Sequence, residues 1–246
     1  MIGSMLRQLQ LWDVADIEQS WSVRQSARAR RLSVRVFRTG GVEIVVPPRT
    51  SPRRVSAFVH EHREWIERQR SQAVPRVDGA LPPTALSLTA IGEEWRCSAL
   101  TDAGRVRVRE LIGHELQLRG QLADQERVRR VLRGWLIERA RQQFDGPLRA
   151  LATLVDAAPR ALQVRCQRTR WGSCSRRGTI SLNACLLFQR PEVLRYLLVH
   201  ELSHMRHMNH SARFWAEVAR HEPEWKALDR ELLQGWRRVP AWVFVK

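Results

Sequence analysis

Pro191-Glu192-Val193-Leu194-Arg195-Tyr196-Leu197-Leu198-Val199-His200-Glu201-Leu202-Ser203-His204-Met205 is the stretch from which the rest of this 246-residue chain is best read. Pro191 and Glu192 suit a first helical turn, and Val193, Leu194, Leu197 and Leu198 recur at helical spacing, so the segment is a helix with a buried stripe. On a helix His200 and His204 lie one turn apart, separated by about 6 Å of rise. Both imidazoles can then converge on one ion while Glu201 lies beside them, the H-E-x-x-H arrangement. Zinc takes imidazole nitrogens at about 2.0–2.1 Å, and a catalytic zinc keeps three protein ligands and a water. A third ligand is therefore required.

His207 does not qualify on a continuing helix, where it sits about 10 Å along the axis from His200. The chain must turn first. Asn209 is a candidate helix-ending residue, and Ser211 can cap a new helix carrying Phe214, Trp215 and Val218, which swings His210 back toward the ion. His210 is the expected third ligand, with Glu217 and Glu222 as the carboxylate alternatives. Two other matches are decoys: His114-Glu115 lacks the second histidine and lies in a strand pattern, and His60-Glu61-His62 has the wrong spacing.

Upstream of this helix, residues 162–183 read as a hairpin: Leu162 to Thr169, then Trp171-Gly172-Ser173-Cys174, a turn at Ser175 to Gly178, and a return along Thr179-Ile180-Ser181-Leu182-Asn183. Asn183 is a candidate to hold a ligand histidine from behind, and Trp171 to pack the hairpin onto the helix. An amphipathic helix begins near Asp124, with Val128, Val131, Leu132, Trp135, Leu136 and Ala140 on one face. The first half is mainly β. Leu32, Val34, Val36 and Val42, Ile44, Val46 alternate about Gly40-Gly41, a hairpin signature. Ser51-Pro52 opens a helix of roughly 52–70 with Val55, Phe58, Val59, Trp65 and Ile66 as its apolar set. Residues 71–85 read as a loop, and short strands fit 86–90, 95–100, 106–108 and 116–118. The fold class expected is α+β: an N-terminal extension (1–23), a β-rich part (24–118) and a helical, zincin-like part with a β-hairpin edge (119–246).

Composition narrows the function classes. A hydrophobic fraction of 43% and ten tryptophans are those of a folding chain rather than a disordered one. No segment is long and apolar enough to span a bilayer or to serve as a secretory leader, so a cytoplasmic location without membrane contact is expected. Cys97, Cys166, Cys174 and Cys185 lack C-x-x-C spacing and read as reduced thiols, neither a disulfide framework nor a thiolate zinc site. The net charge is +17, and all the basic residues except Lys226 and Lys246 are arginine. Such an excess favours polyanions. Charge alone does not separate non-specific nucleic-acid contact from arginines that simply face water.

Taken together, Arg170-Trp171-Gly172-Ser173-Cys174-Ser175, Ile180-Ser181-Leu182-Asn183, Tyr196 to His204 and Asn209-His210-Ser211 with Phe214-Trp215 resemble the YgjP-like metallopeptidase domain family, related more distantly to SprT-type zinc proteases. The resemblance extends over the arginine-rich hairpin and Glu64-Trp65-Ile66, roughly residues 24–235. It implies a zincin-type site with Zn2+ held by His200, His204 and His210, Glu201 as general base, a peptide or protein substrate and a cytoplasmic protein. Two rivals stand beside it. One is a nucleoside triphosphate pyrophosphatase, with Arg168, Arg170, Arg176 and Arg177 clamping phosphates. The other is a nucleic-acid-binding protein with a purely structural zinc.

Overall fold

A computed structural model describes residues 21–37, 40–71 and 81–244, and these fall into two units that divide at 75/76. The first unit contains strands β1 (Trp21–Gln25), β2 (Ser33–Val36) and β3 (Val42–Val46), then helix α1 (Pro52–Ser71). β3 is central, parallel to β1 with Trp21 opposite Val42 and antiparallel to β2 with Val36 opposite Val42. The β2–β3 turn is the glycine turn expected from sequence, closed by Phe37 N–H donating to the Gly41 carbonyl at 2.7 Å, with Gly40 at φ 79°. Ile44, Val46, Val55, Val59 and Ile66 form its core with Trp21 and Val42. Trp65, expected in the apolar set, is 41% exposed, because a residue next to Ile66 on a helix is rotated about 100° away from it. β1 is an element the hydrophobic alternation did not signal: it carries only Trp21 and Val23 on its inward side.

The second unit opens with a four-stranded sheet of β4 (Ala85–Leu88), β5 (Glu93–Thr101), β6 (Arg107–Leu111) and β7 (Glu115–Gly120), ordered β4-β5-β7-β6. Helix α2 (Gln125–Leu154) follows, its first turn capped by the Asp124 carboxylate accepting from Arg127 N–H. Strands β8 (Ala161–Arg165), β9 (Gly172–Cys174) and β10 (Thr179–Asn183) form a third sheet with β10 central and β9 at one edge. Three helices complete it: α3 (Pro191–Ser203), α4 (Ala212–His221) and α5 (Trp225–Gln234). One continuous core joins Leu86, Leu88, Trp95, Leu116 and Leu118 of the sheet to Leu132, Leu136 and Phe144 of α2 and to Tyr196 and Leu197 of α3. The fold class is α+β, β first and helical later, as read from sequence.

The boundary drawn at 118/119 does not match this division. The sheet of 85–120 packs its apolar face against α2 and shares a core with the later helices, so the chain separates before the sheet rather than after it. A polar clamp reinforces that join: Arg139 on α2 pairs with Glu93 on β5, and Trp95 Nε1 donates to Glu93 at 2.9 Å. Residues 1–20, most of the expected N-terminal extension, and 72–80 of the expected loop lie outside the described residues.

Candidate metal centre

α3 is buried almost all round, including Tyr196, Val199, Glu201, Leu202 and Ser203 besides the four expected apolar positions. That pattern belongs to a helix in the middle of a domain. It ends at Ser203, with His204 as its cap residue, several residues before Asn209. The turn that follows is held by Arg206 N–H and His207 N–H, both donating to the Ser203 carbonyl. Ser211 then caps α4 by accepting from Phe214 N–H, and His210 sits just before that cap.

This path brings three imidazoles together. One ligand nitrogen each from His200, His204 and His210 lies within 4.8 Å of the others, and His200 Nε2 is 3.1 Å from His210 Nε2. Two nitrogens about 2.0–2.1 Å from one tetrahedral ion stand about 3.3 Å apart, so the His200–His210 pair has the spacing of two ligands on a zinc-sized cation, and His204 lies near enough to be the third. His207 contributes only its carbonyl oxygen, which faces His204 Nδ1 at 3.0 Å. Glu217 and Glu222 are engaged by Arg206 and Arg195 and are not part of the cluster. The decoys have structural employment. His62 faces the Phe58 carbonyl and stacks on the Phe58 ring, and His114 occupies a turn at φ 56° against Trp95.

Each imidazole is steadied differently. His204 has a backbone carbonyl, and His210 lies flat against Trp215, whose ring stacks in turn on Trp225 at 4.1 Å. His200 Nδ1 faces the Tyr196 hydroxyl at 3.3 Å, and that hydroxyl donates to Asp229 Oδ1 at 2.8 Å. Burial, then the neighbouring His204 and His210, hold His200 down to about 3, and burial also lowers His204. Both are neutral near pH 7, the form that coordinates a cation.

Glu201 is 4% exposed, and its Oε2 has no hydrogen-bond partner among the described residues. Burial raises its carboxyl to about 8, with Arg170 pulling the other way. The side chain is pinned from one side by Gly172 of β9, where a Cβ would fall 2.4 Å from Glu201 Oε1. Only glycine lets the edge strand come this near. Trp171 is buried, as a packing residue, but its ring stacks on Trp236 at 4.0 Å, just beyond α5, rather than on the helix expected from sequence. Asn183 holds no histidine. Its amide donates to the Gln167 and Arg170 carbonyls at 2.8 and 2.9 Å, stapling the loop that carries the chain into β9. Asp229 and the role of Gly172 were not found from sequence: Asp229 lies 25 positions beyond His204 among charged residues, and a glycine's closeness to a side chain distant in sequence leaves no periodic signal.

The sequence model of the YgjP-like, metallopeptidase domain family matches residues 30–234. Among solved structures, the metallopeptidase zymogen of Pyrococcus abyssi abylysin shares 24% identity, covering 39% of this chain and 97% of that one with a TM-score of 0.36. The metallopeptidase zymogen of Methanocaldococcus jannaschii jannalysin shares 18%, covering 37% and 94% with a TM-score of 0.33. No curated protein matches the chain.

Proposed function

The chain belongs to the YgjP-like metallopeptidase domain family, and from that membership we propose that it is a zinc-dependent peptidase in which His200, His204 and His210 hold the ion and Glu201 is the general base. One observation supports this most: a buried carboxyl whose Oε2 has no hydrogen-bond partner among the described residues stands one residue from the first of three convergent imidazoles. A structural site has no use for such a group, and burying it without a partner is costly. A zinc ion bound there would lower the pKa of a water toward 7 and polarise the scissile carbonyl.

The protein's own groups do the rest. Glu201, its ionised form favoured by a cation on the three imidazoles, takes the proton of the attacking water and delivers it to the leaving amine. The three imidazoles are neutral donors, so they leave positive charge at the centre that thiolates would cancel. Among the described residues β9 pairs with β10 on one side only, and its open edge, held against Glu201 by Gly172, suits an extended peptide that pairs main chain to main chain. No helix among the described residues is long and apolar enough to cross a membrane; a cytoplasmic location is part of the proposal.

The test combines metal content with hydrolysis. Dialysed protein should take up about one zinc per chain and cleave unfolded protein substrates. His200→Ala, His204→Ala and His210→Ala should lose the metal, whereas His207→Ala keeps it. Glu201→Gln should keep zinc and lose on the order of 10² to 10⁴ in rate. Release of pyrophosphate from nucleoside triphosphates without peptide cleavage would overturn the substrate class, and a Glu201→Gln variant of parental activity would overturn the mechanism.

A further inference from the structure

Tyr196 is completely buried, one helical turn before His200. Its hydroxyl carries a single hydrogen, and that hydrogen goes to Asp229 Oδ1, 2.8 Å away on α5. Toward His200 Nδ1, at 3.3 Å, the same oxygen can therefore only accept. Nδ1 must then carry the imidazole proton, and Nε2, the atom facing His210 at 3.1 Å, presents its lone pair. Without the carboxylate the hydroxyl is free to rotate and donate to Nδ1 instead. That would place the imidazole proton on Nε2, the tautomer that cannot bind a cation there.

We infer that Asp229 is a positioning residue for the metal centre: by fixing the Tyr196 hydroxyl as an acceptor, it selects the His200 tautomer that coordinates the ion. The inference rests on the ligand reading of His200 proposed above. It also removes Tyr196 from any direct part in stabilising an oxyanion, because its one donor is spent inside the core. Partners of this kind around a ligand histidine typically tune metal affinity 10- to 100-fold. His204, steadied by a backbone carbonyl that can only accept, needs no such selector.

Zinc dissociation constants, measured by competition with a chromophoric chelator, test this on the full-length protein. Asp229→Ala should weaken binding by about tenfold or more. Asp229→Asn should stay close to the parent, because its amide oxygen still accepts from the hydroxyl. Tyr196→Phe added to Asp229→Ala should restore part of the lost affinity, since it removes the hydroxyl that would hold the wrong tautomer. A purely structural cross-link between α3 and α5 predicts the opposite sign, the double variant being no better than Asp229→Ala. Nitrogen-15 shifts of His200 in metal-free protein give a second readout, with the proton on Nδ1 in the parent and moved toward Nε2 in Asp229→Ala. If His200→Ala binds zinc like the parent, the ligand reading fails. If His200→Ala loses zinc while Asp229→Ala keeps both parental affinity and the parental tautomer, the positioning role alone is overturned.

Discussion

Glu201 carries an electrostatic cost that can be measured without any metal. Its carboxyl is raised by burial to about 8 in the folded chain, against about 4.3 for an unperturbed glutamate. Between those values the folded state holds a proton that the unfolded state has already released. Protonated Glu201 therefore favours folding at low pH, and that contribution is lost as pH rises toward 8. Glu201→Gln cannot ionise. In the presence of a chelator, its stability relative to the parent should rise by on the order of 4 kcal/mol between pH 4.5 and pH 8.5. Urea midpoints at those two pH values check it; parallel pH profiles for the two proteins would mean that Glu201 ionises as freely as on a surface. At this scale the sequence was legible for the placement of residues set by spacing along one helix, His200, Glu201 and His204. His210 was legible through the capping serine that follows it. Asp229 was not, because its link to Tyr196 depends on how α5 packs against α3.

Among the elements, the β9 edge and α3 form the tightest fit. A methyl at position 172 would meet three atoms of the Glu201 side chain at 2.4 to 2.9 Å, so the Glu201 side chain or the β9 edge would have to shift. Gly172→Ala should cost about 1–3 kcal/mol of stability through overpacking. It should also lower kcat/KM by at least about 100-fold, because a displacement near 1 Å of a reacting group has that effect, while zinc stays bound. Retained activity would show that Glu201 moves freely. Element existence was read well where periodicity was strong, as in α1, α2 and α3 and in the β2–β3 and β9–β10 turns. Ends were read less well. α3 stops at Ser203 rather than near Asn209 because the Ser203 carbonyl is taken by two successive amides of a tight turn. The parallel pairings of β1 with β3 and β8 with β10 join strands distant in sequence, which alternation within one strand does not encode.

For the molecule as a whole, charge and division into units give two expectations. In the first unit Arg24, Arg28, Arg30, Arg31 and Arg35 are all exposed, and among these Arg24 is paired with Glu43 at 3.2 Å; Arg38 lies outside the described residues. Sequence-independent binding to DNA or RNA should follow, falling steeply with salt as counterions are released. Titrations across salt concentrations measure the slope, and no binding near 50 mM salt, where phosphate contacts are strong, would leave the arginines as solvated side chains. The second expectation comes from the two separate cores. Trp21, Val42, Ile44 and Val46 with Val55, Val59 and Ile66 make one, and the three imidazoles stand on elements that belong to the other. Heating should then yield two calorimetric transitions rather than one cooperative melt, the smaller and earlier belonging to the small core. Mass action stabilises only the folded state to which a ligand binds. Added zinc should raise the later transition and leave the earlier one where it was, so that the protein has two melting temperatures and its metal supply sets just one of them.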